Sequence, residues 1–231
     1  RALPHAKCRA VGPVVFLDHI GGVLAPGQGF DVRPHPHIGL STVTYLLEGE
    51  FVHRDSLGYV QTIRPGAINL MSAGAGITHS ERTSPEVRER GGRLHGVQLW
   101  VAMPAANEDD EPSFAHHVEE SIPEVRLEGT RPRVLLGATL GARSPAATES
   151  MPVIVELSLD AGATFAIPDE IEDAALYVIS GSVAHGEERF EERTLVVRRP
   201  GASLSLLAVE ETRALLVGGP RLEGQTTRDP R

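Results

Sequence analysis

The sequence predicts an all-β protein of the sandwich or barrel type, built from two similar halves. Short runs rich in apolar and β-branched residues recur along the chain, helical periodicity is weak, and 24 Gly with 17 Pro supply many turns. Two turn motifs also appear twice in the same order. The predicted strands cover residues 39–47, 60–63, 67–71, 96–103, 134–136, 153–159, 175–179, 194–197, 203–207 and 213–217.

The repeated motifs indicate a duplicated unit. Tyr-Leu-Leu-Glu-Gly at 45–49 is followed by Tyr-Val-Ile-Ser-Gly at 177–181, an offset of 132 (177 − 45). Arg-Pro-Gly at 64–66 returns at 199–201, an offset of 135 (199 − 64). Two motifs in register within three residues are typical of an internal repeat. We therefore predict two domains, residues 1–125 and 126–231, each forming a barrel.

Composition excludes several classes of function. A single cysteine, Cys8, rules out an intramolecular disulfide and a thiolate metal cluster. The formal charge of −9 disfavours direct contact with nucleic acid or anionic lipid. No run of eighteen apolar residues predicts a membrane span, and the first thirty residues lack a signal-peptide pattern, so the prediction is a cytoplasmic protein. Because the sequence begins at Arg1 rather than Met, this prediction leaves an export signal open.

His35 and His37 form the first half of a predicted metal site. They lie two residues apart at the start of a predicted strand, where alternate side chains point to the same face. Two residues of strand span about 6.6 Å, which two imidazoles can bridge by leaning towards one ion. Pro34 and Pro36 keep this segment extended, as is tolerated at a strand end or edge.

His79 and Glu81 form the second half, again with spacing i and i+2. If the two pairs lie on neighbouring strands, three neutral imidazoles and one carboxylate converge. Four protein ligands on an octahedral ion leave two positions open, as a catalytic site requires. Iron(II), manganese, nickel, copper and zinc all suit such ligands, whereas magnesium and calcium prefer oxygen.

The second half of the sequence lacks this site. At offset 132, Ile167 and Asp169 stand in the places of His35 and His37. At offset 135, Ala214 and Leu216 are expected in the places of His79 and Glu81. The prediction is therefore one metal site, in the first barrel.

Other histidines are interpreted as structural. His53 and Asp55 also have the spacing i and i+2 but approach a turn, so a solvent-facing pair is expected in preference to one that supports the metal ligands. His95 is expected to be hydrogen-bonded at a strand end. His116 and His117 fall in a polar stretch and are expected at the surface. The sequence contains neither a dinucleotide-binding glycine fingerprint nor a hydrolase nucleophile elbow, so no organic cofactor is predicted.

Five segments resemble the pirin family of cupins. They are Arg-Pro-His-Pro-His-Ile-Gly-Leu-Ser-Thr-Val-Thr-Tyr-Leu-Leu-Glu-Gly at 33–49, His-Arg-Asp-Ser at 53–56, Arg-Pro-Gly at 64–66, Met-Ser-Ala-Gly-Ala-Gly-Ile-Thr-His-Ser-Glu at 71–81 and His-Gly-Val-Gln-Leu-Trp-Val at 95–101. The resemblance implies a bicupin, two stacked jelly-roll β-barrels with metal only in the first. The family's four metal ligands correspond to His35, His37, His79 and Glu81.

The same resemblance implies a chemistry. The family's usual metal is iron, and some members resemble quercetin 2,3-dioxygenases, which open a flavonol ring with O₂ and release carbon monoxide. In such an enzyme the flavonol 3-hydroxyl would bind the metal, and Glu81 would accept its proton while remaining a ligand. Other members act as regulators, so the alternative is a non-catalytic metal- or redox-sensing protein that binds a protein partner.

Three positions depart from the family pattern. Ile38 replaces an arginine that usually follows the second histidine, Ser41 replaces a glutamate, and Leu70 replaces a common tryptophan. Strand alternation is expected to bring Ser41 to the same side as the histidines unless a bulge intervenes. We therefore expect a pocket whose polarity and substrate differ from those of the family.

Overall fold

The computed structural model describes residues 1–221 and divides into two compact units. The N-terminal unit comprises Leu17–Ser121, and the C-terminal unit comprises Arg1–Phe16 together with the described residues from Ile122 to Arg221. About 55% of the structure described is strand and 5% is helix, so the predicted all-β class is confirmed. The domain boundary near residue 125 stays a prediction.

Nine strands and one short helix form the first part of the chain, as follows: β1 (Val14–Leu24), β2 (Asp31–His37), β3 (Leu40–Glu48), β4 (Phe51–Asp55), β5 (Val60–Ile63), β6 (Ile68–Ser72), β7 (Ile77–Arg82), α1 (Pro85–Arg90), β8 (Gly92–Ala102) and β9 (Ser113–His117). Single 3₁₀ turns occupy Ala105–Asn107 and Glu119–Ser121. Helix α1 was not predicted, although Ser84 and Pro85 are a helix-start signal. The Ser84 hydroxyl accepts a hydrogen bond from the Val87 amide.

The second part of the described chain contains eleven further strands: β10 (Thr130–Leu136), β11 (Ala138–Thr139), β12 (Ala142–Arg143), β13 (Val153–Leu159), β14 (Thr164–Ala166), β15 (Asp173–Ser180), β16 (Ser182–His185), β17 (Glu188–Glu191), β18 (Leu195–Val197), β19 (Ser205–Ala208) and β20 (Thr212–Gly219). Each of the ten strands predicted from the sequence overlaps one of the strands found in the structure. No helix among residues 1–221 is long and apolar enough to span a membrane.

Each unit is built on one five-stranded and one four-stranded sheet. The five-stranded sheets have the orders β1-β8-β3-β6-β9 and β10-β13-β20-β15-β18. The four-stranded sheets have the orders β2-β7-β4-β5 and β14-β19-β16-β17, which are the same arrangement with each strand replaced by its counterpart. In each unit buried apolar residues from both sheets meet in shared clusters, so the core lies between the sheets.

The repeated motif marks equivalent places in the two units. Tyr45 lies in β3 and Tyr177 in β15, the strands that correspond between the five-stranded sheets, and both are almost fully buried. The turns that follow need glycine, because Gly49 and Gly181 have φ of 82° and 78°. A Cβ on either would lie within 2.5 Å of a backbone carbonyl oxygen. These equivalences support the predicted duplication.

Candidate metal centre

Strands β2 and β7 bring the two predicted ligand pairs together. They are antiparallel neighbours, with His35 directly opposite His79 and His37 opposite Ile77. Facing residues in such a pair have their side chains on the same side of the sheet. A register shift between Val32 and His35 adjusts the strand just before the histidines, a common feature beside functional sites.

Three histidines form a compact cluster. One ligand nitrogen from each of His35, His37 and His79 lies within 4.8 Å of the other two. The Nε2 atoms of His37 and His79 are 3.1 Å apart, and the ring centroids of His35 and His79 are 4.4 Å apart. Two nitrogens that bind one ion at right angles, each about 2.1 Å from it, are separated by about 3.0 Å. The spacing therefore fits adjacent positions on a single transition-metal ion.

The electrostatic surroundings favour the metal-binding form of these rings. Burial, followed by the charge of His35, lowers the pKa of His37 to about 4. Burial, with the neighbouring histidines as smaller causes, lowers the pKa of His79 to about 3. Both rings are therefore neutral at pH 7 and have a lone pair to offer.

The His35 ring is oriented by its own strand. Its Nδ1 lies 2.9 Å from the backbone carbonyl oxygen of Arg33. A carbonyl only accepts hydrogen bonds, so Nδ1 carries the proton and Nε2 keeps the lone pair. The ring is thus held in the tautomer that can bind a metal through Nε2.

Glu81 lies on the same face of β7 as His79, but outside the cluster. The group of donors that lie within 4.8 Å of one another contains the three histidines and does not include the Glu81 carboxylate. Glu81 is 6% exposed, and burial raises its pKa to about 7. A buried carboxylate without full compensation is one that a cation would stabilise.

The interpretation of His53 and Asp55 as solvent-facing is wrong. His53 is 2% exposed, and its Nε2 lies 3.0 Å from Asp55 Oδ2. The reason is that β4 is an interior strand of its sheet, where His53 stands opposite Glu81 and Asp55 opposite His79. His53 Nδ1 is 3.4 Å from His79 Nδ1, and the Phe114 ring stacks on the His53 ring at 4.4 Å. The sequence does carry a signal for this arrangement. His53 and Asp55 are two residues apart on one strand, so their side chains share a face, as those of His35 and His37 do.

The remaining histidines are also more structured than expected. His116 and His117 belong to β9 and are half-buried rather than at the surface, and His116 Nδ1 bonds Asn69 Oδ1 at 2.7 Å. β9 pairs with β6, which accounts for their burial. His95 is hydrogen-bonded as expected: its Nε2 is 2.6 Å from His19 Nε2.

A cavity of about 370 Å³ opens beside the cluster. Its wall includes His37, Ile38 and Ser56, and the cavity continues along Ala75–Thr78. Ile38 is 67% exposed and gives the mouth an apolar side. Ser41 is not part of this wall; it is buried and bonds Ser72 through its hydroxyl at 2.9 Å. The expectation that Ser41 shares a face with the histidines is wrong. The alternation of side chains along β2 does not continue to Ser41, because the chain turns at Gly39 (φ 64°) and enters the other sheet.

The C-terminal unit places aliphatic residues at the equivalent positions. The Ile167 amide bonds the Leu204 carbonyl, just as His35 faces His79. Strand pairing shows which residues are equivalent in the two units. Val52 pairs with Arg82 in the first unit, and Ala184 pairs with Leu207 in the second. The difference in residue number between equivalent positions is therefore 132 at Val52 (184 − 52) but 125 at Arg82 (207 − 82).

This change of offset corrects one sequence alignment. The counterparts of His79 and Glu81 are Leu204 and Leu206, not Ala214 and Leu216. The latter two residues lie in β20, which is in the other sheet. The offset changes because the second unit has seven fewer residues between these strands than the first. Leu204 and Leu206 are aliphatic, so these corrected positions also offer no metal ligand, and a single metal site in the first barrel stays a prediction.

Comparison with known proteins agrees with this architecture. Residues 1–101 match the Pirin family, and residues 154–227 match the Pirin C-terminal cupin domain. A pirin-like protein of Caulobacter vibrioides is 43% identical over 95% of this chain and 77% of its own length. These matches confirm the predicted bicupin fold.

Solved structures give the same result. A quercetin 2,3-dioxygenase from Acinetobacter baumannii is 35% identical with a TM-score of 0.88, covering 96% of this chain and 74% of its own. A bacterial pirin from Escherichia coli in complex with nickel(II) shares the fold at 22% identity, with a TM-score of 0.71 over 93% of this chain and 85% of its own. By sequence and by fold, the chain belongs to the pirin family.

Proposed function

We propose that this protein is a metal-dependent dioxygenase that acts on a flavonol such as quercetin, or on another chelating enol or phenol, with O₂. The observation that carries the proposal is the cluster of His35, His37 and His79 beside an open cavity. Relatives that bear the name quercetin 2,3-dioxygenase support the same reaction class.

The donor set suits a catalytic rather than a structural metal. We propose His35, His37, His79 and Glu81 as the residues that would hold the ion, a set that would leave it accessible to a substrate. Iron(II) is the metal we name first, and the nitrogen-rich set also accepts manganese, nickel, copper or zinc. When bound, the ion would lower the pKa of a substrate hydroxyl and orient the substrate towards O₂.

Glu81 has the properties of a proton acceptor. In the metal-free protein, burial raises the pKa of Glu81 to about 7, so this carboxyl group can take up or release a proton near neutral pH. A cation nearby would lower that pKa again, so the carboxylate would stay ionised until a substrate hydroxyl gives up its proton. We therefore assign Glu81 both roles, ligand and catalytic base.

The cavity matches the proposed substrate class. Its volume of about 370 Å³ lies in the range of pockets that bind small organic molecules. Ile38 and Ala75 are exposed and offer apolar contacts for a flat aromatic ring, and His37 lies on the same wall. A planar polyphenol could thus keep its chelating edge at the histidines while its rings contact the apolar side.

The test combines metal content with turnover. Protein stripped of metal is reloaded with iron(II), manganese or nickel without air, its bound metal is counted, and O₂ uptake and carbon monoxide release are measured with quercetin. We expect one ion per chain and turnover with at least one metal. His79→Ala should lose metal and turnover together.

His185→Ala is the matched control. His185 lies on β16 at the same offset of 132 from His53 (185 − 53), and it bonds a backbone oxygen of Ser205. Its loss should leave metal content and turnover unchanged. Stoichiometric metal without oxidation of quercetin or related polyphenols would contradict the dioxygenase and favour a metal-sensing protein.

A further inference from the structure

A chain of three side chains leads from a surface turn to the metal cluster. Asp55 ends β4, and its Oδ1 accepts hydrogen bonds from the amides of Leu57 at 2.9 Å and Tyr59 at 3.1 Å. Its other oxygen, Oδ2, lies 3.0 Å from His53 Nε2. His53 Nδ1 in turn lies 3.4 Å from His79 Nδ1. The turn therefore fixes the carboxylate, and the carboxylate contacts the first of two linked rings.

The positions of the protons follow from the types of atom in contact. An ionised carboxylate only accepts hydrogen bonds, so His53 Nε2 must carry the proton that Asp55 accepts. A neutral ring has a single N–H, which leaves a lone pair on His53 Nδ1. His79 Nδ1 then donates to that lone pair, and its own lone pair is on Nε2. This is the nitrogen that lies 3.1 Å from His37 Nε2.

Packing holds the middle ring in place. Phe114 stacks on His53 with a centroid distance of 4.4 Å and an interplanar angle of 15°, and Tyr59 packs against Phe114 at 5.3 Å. The side chains of His53 and Asp55 are 3% and 0% exposed, so water does not compete for their hydrogen bond. The orientation of His53 is thus set on one face by an aromatic ring and at one edge by a carboxylate.

We propose that His53 and Asp55 are positioning residues that hold His79 in the tautomer with its Nε2 lone pair presented to the metal. The proposal rests on the metal site described under the proposed function. His35 is held in the same tautomer by a backbone carbonyl, because its Nδ1 donates a hydrogen bond to the Arg33 oxygen. Outer partners of this kind orient metal-binding histidines and change metal affinity by about tenfold to a hundredfold.

Asp55→Asn is the most direct test. The substitution keeps the size of the side chain and reverses the direction of its hydrogen bond with His53. The amide oxygen can still accept from Leu57 and Tyr59, which turns the amide NH₂ towards His53 Nε2. His53 Nε2 must then accept, its Nδ1 must carry the proton, and His79 Nδ1 must become an acceptor. The His79 proton is forced onto Nε2, the atom that should bind the metal.

Two measurements follow the change. Long-range ¹H–¹⁵N NMR of metal-free protein, assigned by comparison with His79→Gln, should show the His79 proton on Nδ1 in the natural protein and on Nε2 in Asp55→Asn. Competition with a chelator should show zinc affinity about tenfold to a hundredfold weaker in the variant. Zinc is used because it is diamagnetic and has no redox chemistry.

Glu156→Gln is the matched control. Glu156 is a buried carboxylate in the C-terminal unit that bonds Arg213 at 2.6 Å, so the same chemical change is made away from the metal site. It should leave the His79 proton and the zinc affinity unchanged. If Asp55→Asn does not fold, His53→Ala replaces it, and the His79 proton should then be shared between both nitrogens with a similar loss of affinity.

An unchanged His79 tautomer in a folded variant, or zinc affinity within twofold of the natural protein, would overturn the proposal. These results are distinct from failure of the proposed function. A protein that binds zinc tightly through a relay sensitive to Asp55, yet never oxidises quercetin, would keep the positioning role and remove only the dioxygenase.

Discussion

Two strand pairs in the two units share a register and differ in their side chains. In β2 and β7, His35 stands opposite His79, whereas in the matching place of the C-terminal unit Ile167 bonds Leu204. The order of strands in the four-stranded sheets is the same in both units. The fold therefore tolerates either a polar cluster or an aliphatic one, and the candidate site depends on a few side chains rather than on the architecture.

The polar cluster of the N-terminal unit and the aliphatic cluster of the C-terminal unit contribute differently to stability. Ile167, Leu204 and Leu206 join one continuous cluster of buried apolar residues that also contains Phe165. Burying each such side chain contributes about 1.5–3 kcal/mol to stability. The N-terminal unit forgoes this contribution where it buries imidazoles and Glu81. Binding a metal ion to the folded state would offset the loss, because a ligand specific for the folded form stabilises it.

Replacing the histidines of β2 and β7 with the aliphatic residues of the C-terminal unit should have the largest effect on metal binding. His35→Ile with His79→Leu introduces the residues of the C-terminal unit, and we expect metal affinity to fall by more than about a thousandfold, since even an outer hydrogen bond is worth tenfold to a hundredfold. Urea unfolding of the metal-free protein should show an increase in stability of about 1–3 kcal/mol. His185→Leu is the control. Retention of one tightly bound ion would show that the ligands lie elsewhere.

The reverse change should be costly and should not create a site. Leu204→His removes a buried aliphatic side chain and buries an imidazole among Phe165, Ile167 and their neighbours. We expect a loss of about 4 kcal/mol in the free energy of unfolding, combining the lost apolar burial with the desolvation of a polar ring. Metal content should stay at one ion per chain. A second bound ion would mean that one histidine is enough to make a site in this barrel.

Glu81→Gln removes the charge of this buried side chain and keeps its shape. Because the folded-state pKa of Glu81 is raised from 4.5 to about 7, the metal-free folded protein holds its proton more tightly than the unfolded chain does. The resulting stabilisation is present below pH 4.5 and is lost as the pH rises through 7. Glutamine does not titrate, so the variant should match the natural protein at pH 4.5 and exceed it above pH 7 by up to about 3 kcal/mol.

The measurement is urea unfolding of both proteins with chelator present from pH 4.5 to pH 8. Taking the difference at each pH cancels the opposite contribution of His37 and His79, whose lowered pKa values destabilise the folded state as the pH falls below 6.5. A difference that does not change with pH would mean that Glu81 is ionised in the metal-free protein at pH 4.5, or stays protonated at pH 8.

Most of the fold could be predicted from the sequence because its signals are local. Alternating apolar runs and glycine turns identified ten strands, and the repeat of Tyr45 at Tyr177 identified the duplication. The histidine pair at 35 and 37 needed only strand geometry, and its convergence with His79 is found in the structure. Helix α1 and the other ten strands, among them β1, β2, β4, β7 and β9, were not predicted. Helix α1 and strand β9 are short and carry few apolar residues.

What the sequence could not supply was register between distant strands. The burial of His53 depends on β4 lying between β7 and β5, a pairing that no local pattern reveals. The counterparts Leu204 and Leu206 were misassigned because a constant offset cannot detect a difference in length between the two units. Ser41 was misjudged for a related reason, since alternation stops where the chain changes sheets at Gly39.

Ile38 offers the smallest and most specific test of the comparison. The cavity that it borders belongs to the unit with the histidine cluster, and Ile38 is 67% exposed, so it can be changed without disturbing the core. Its neighbour His37 is a proposed ligand, yet the Ile38 side chain bonds no metal. Ile38→Ser should therefore leave metal affinity and stability unchanged and weaken only the apolar contact with substrate.

An exposed aliphatic contact is worth about 1 kcal/mol, so we expect KM for quercetin to rise about fivefold with little change in kcat. Ile38→Val, which keeps most of the apolar surface, is the matched control and should change KM by less than about twofold. A fall in kcat with KM unchanged would instead mean that residue 38 acts on the chemistry, and the cavity would then have to be reinterpreted as part of the reacting site rather than as the surface that selects the substrate.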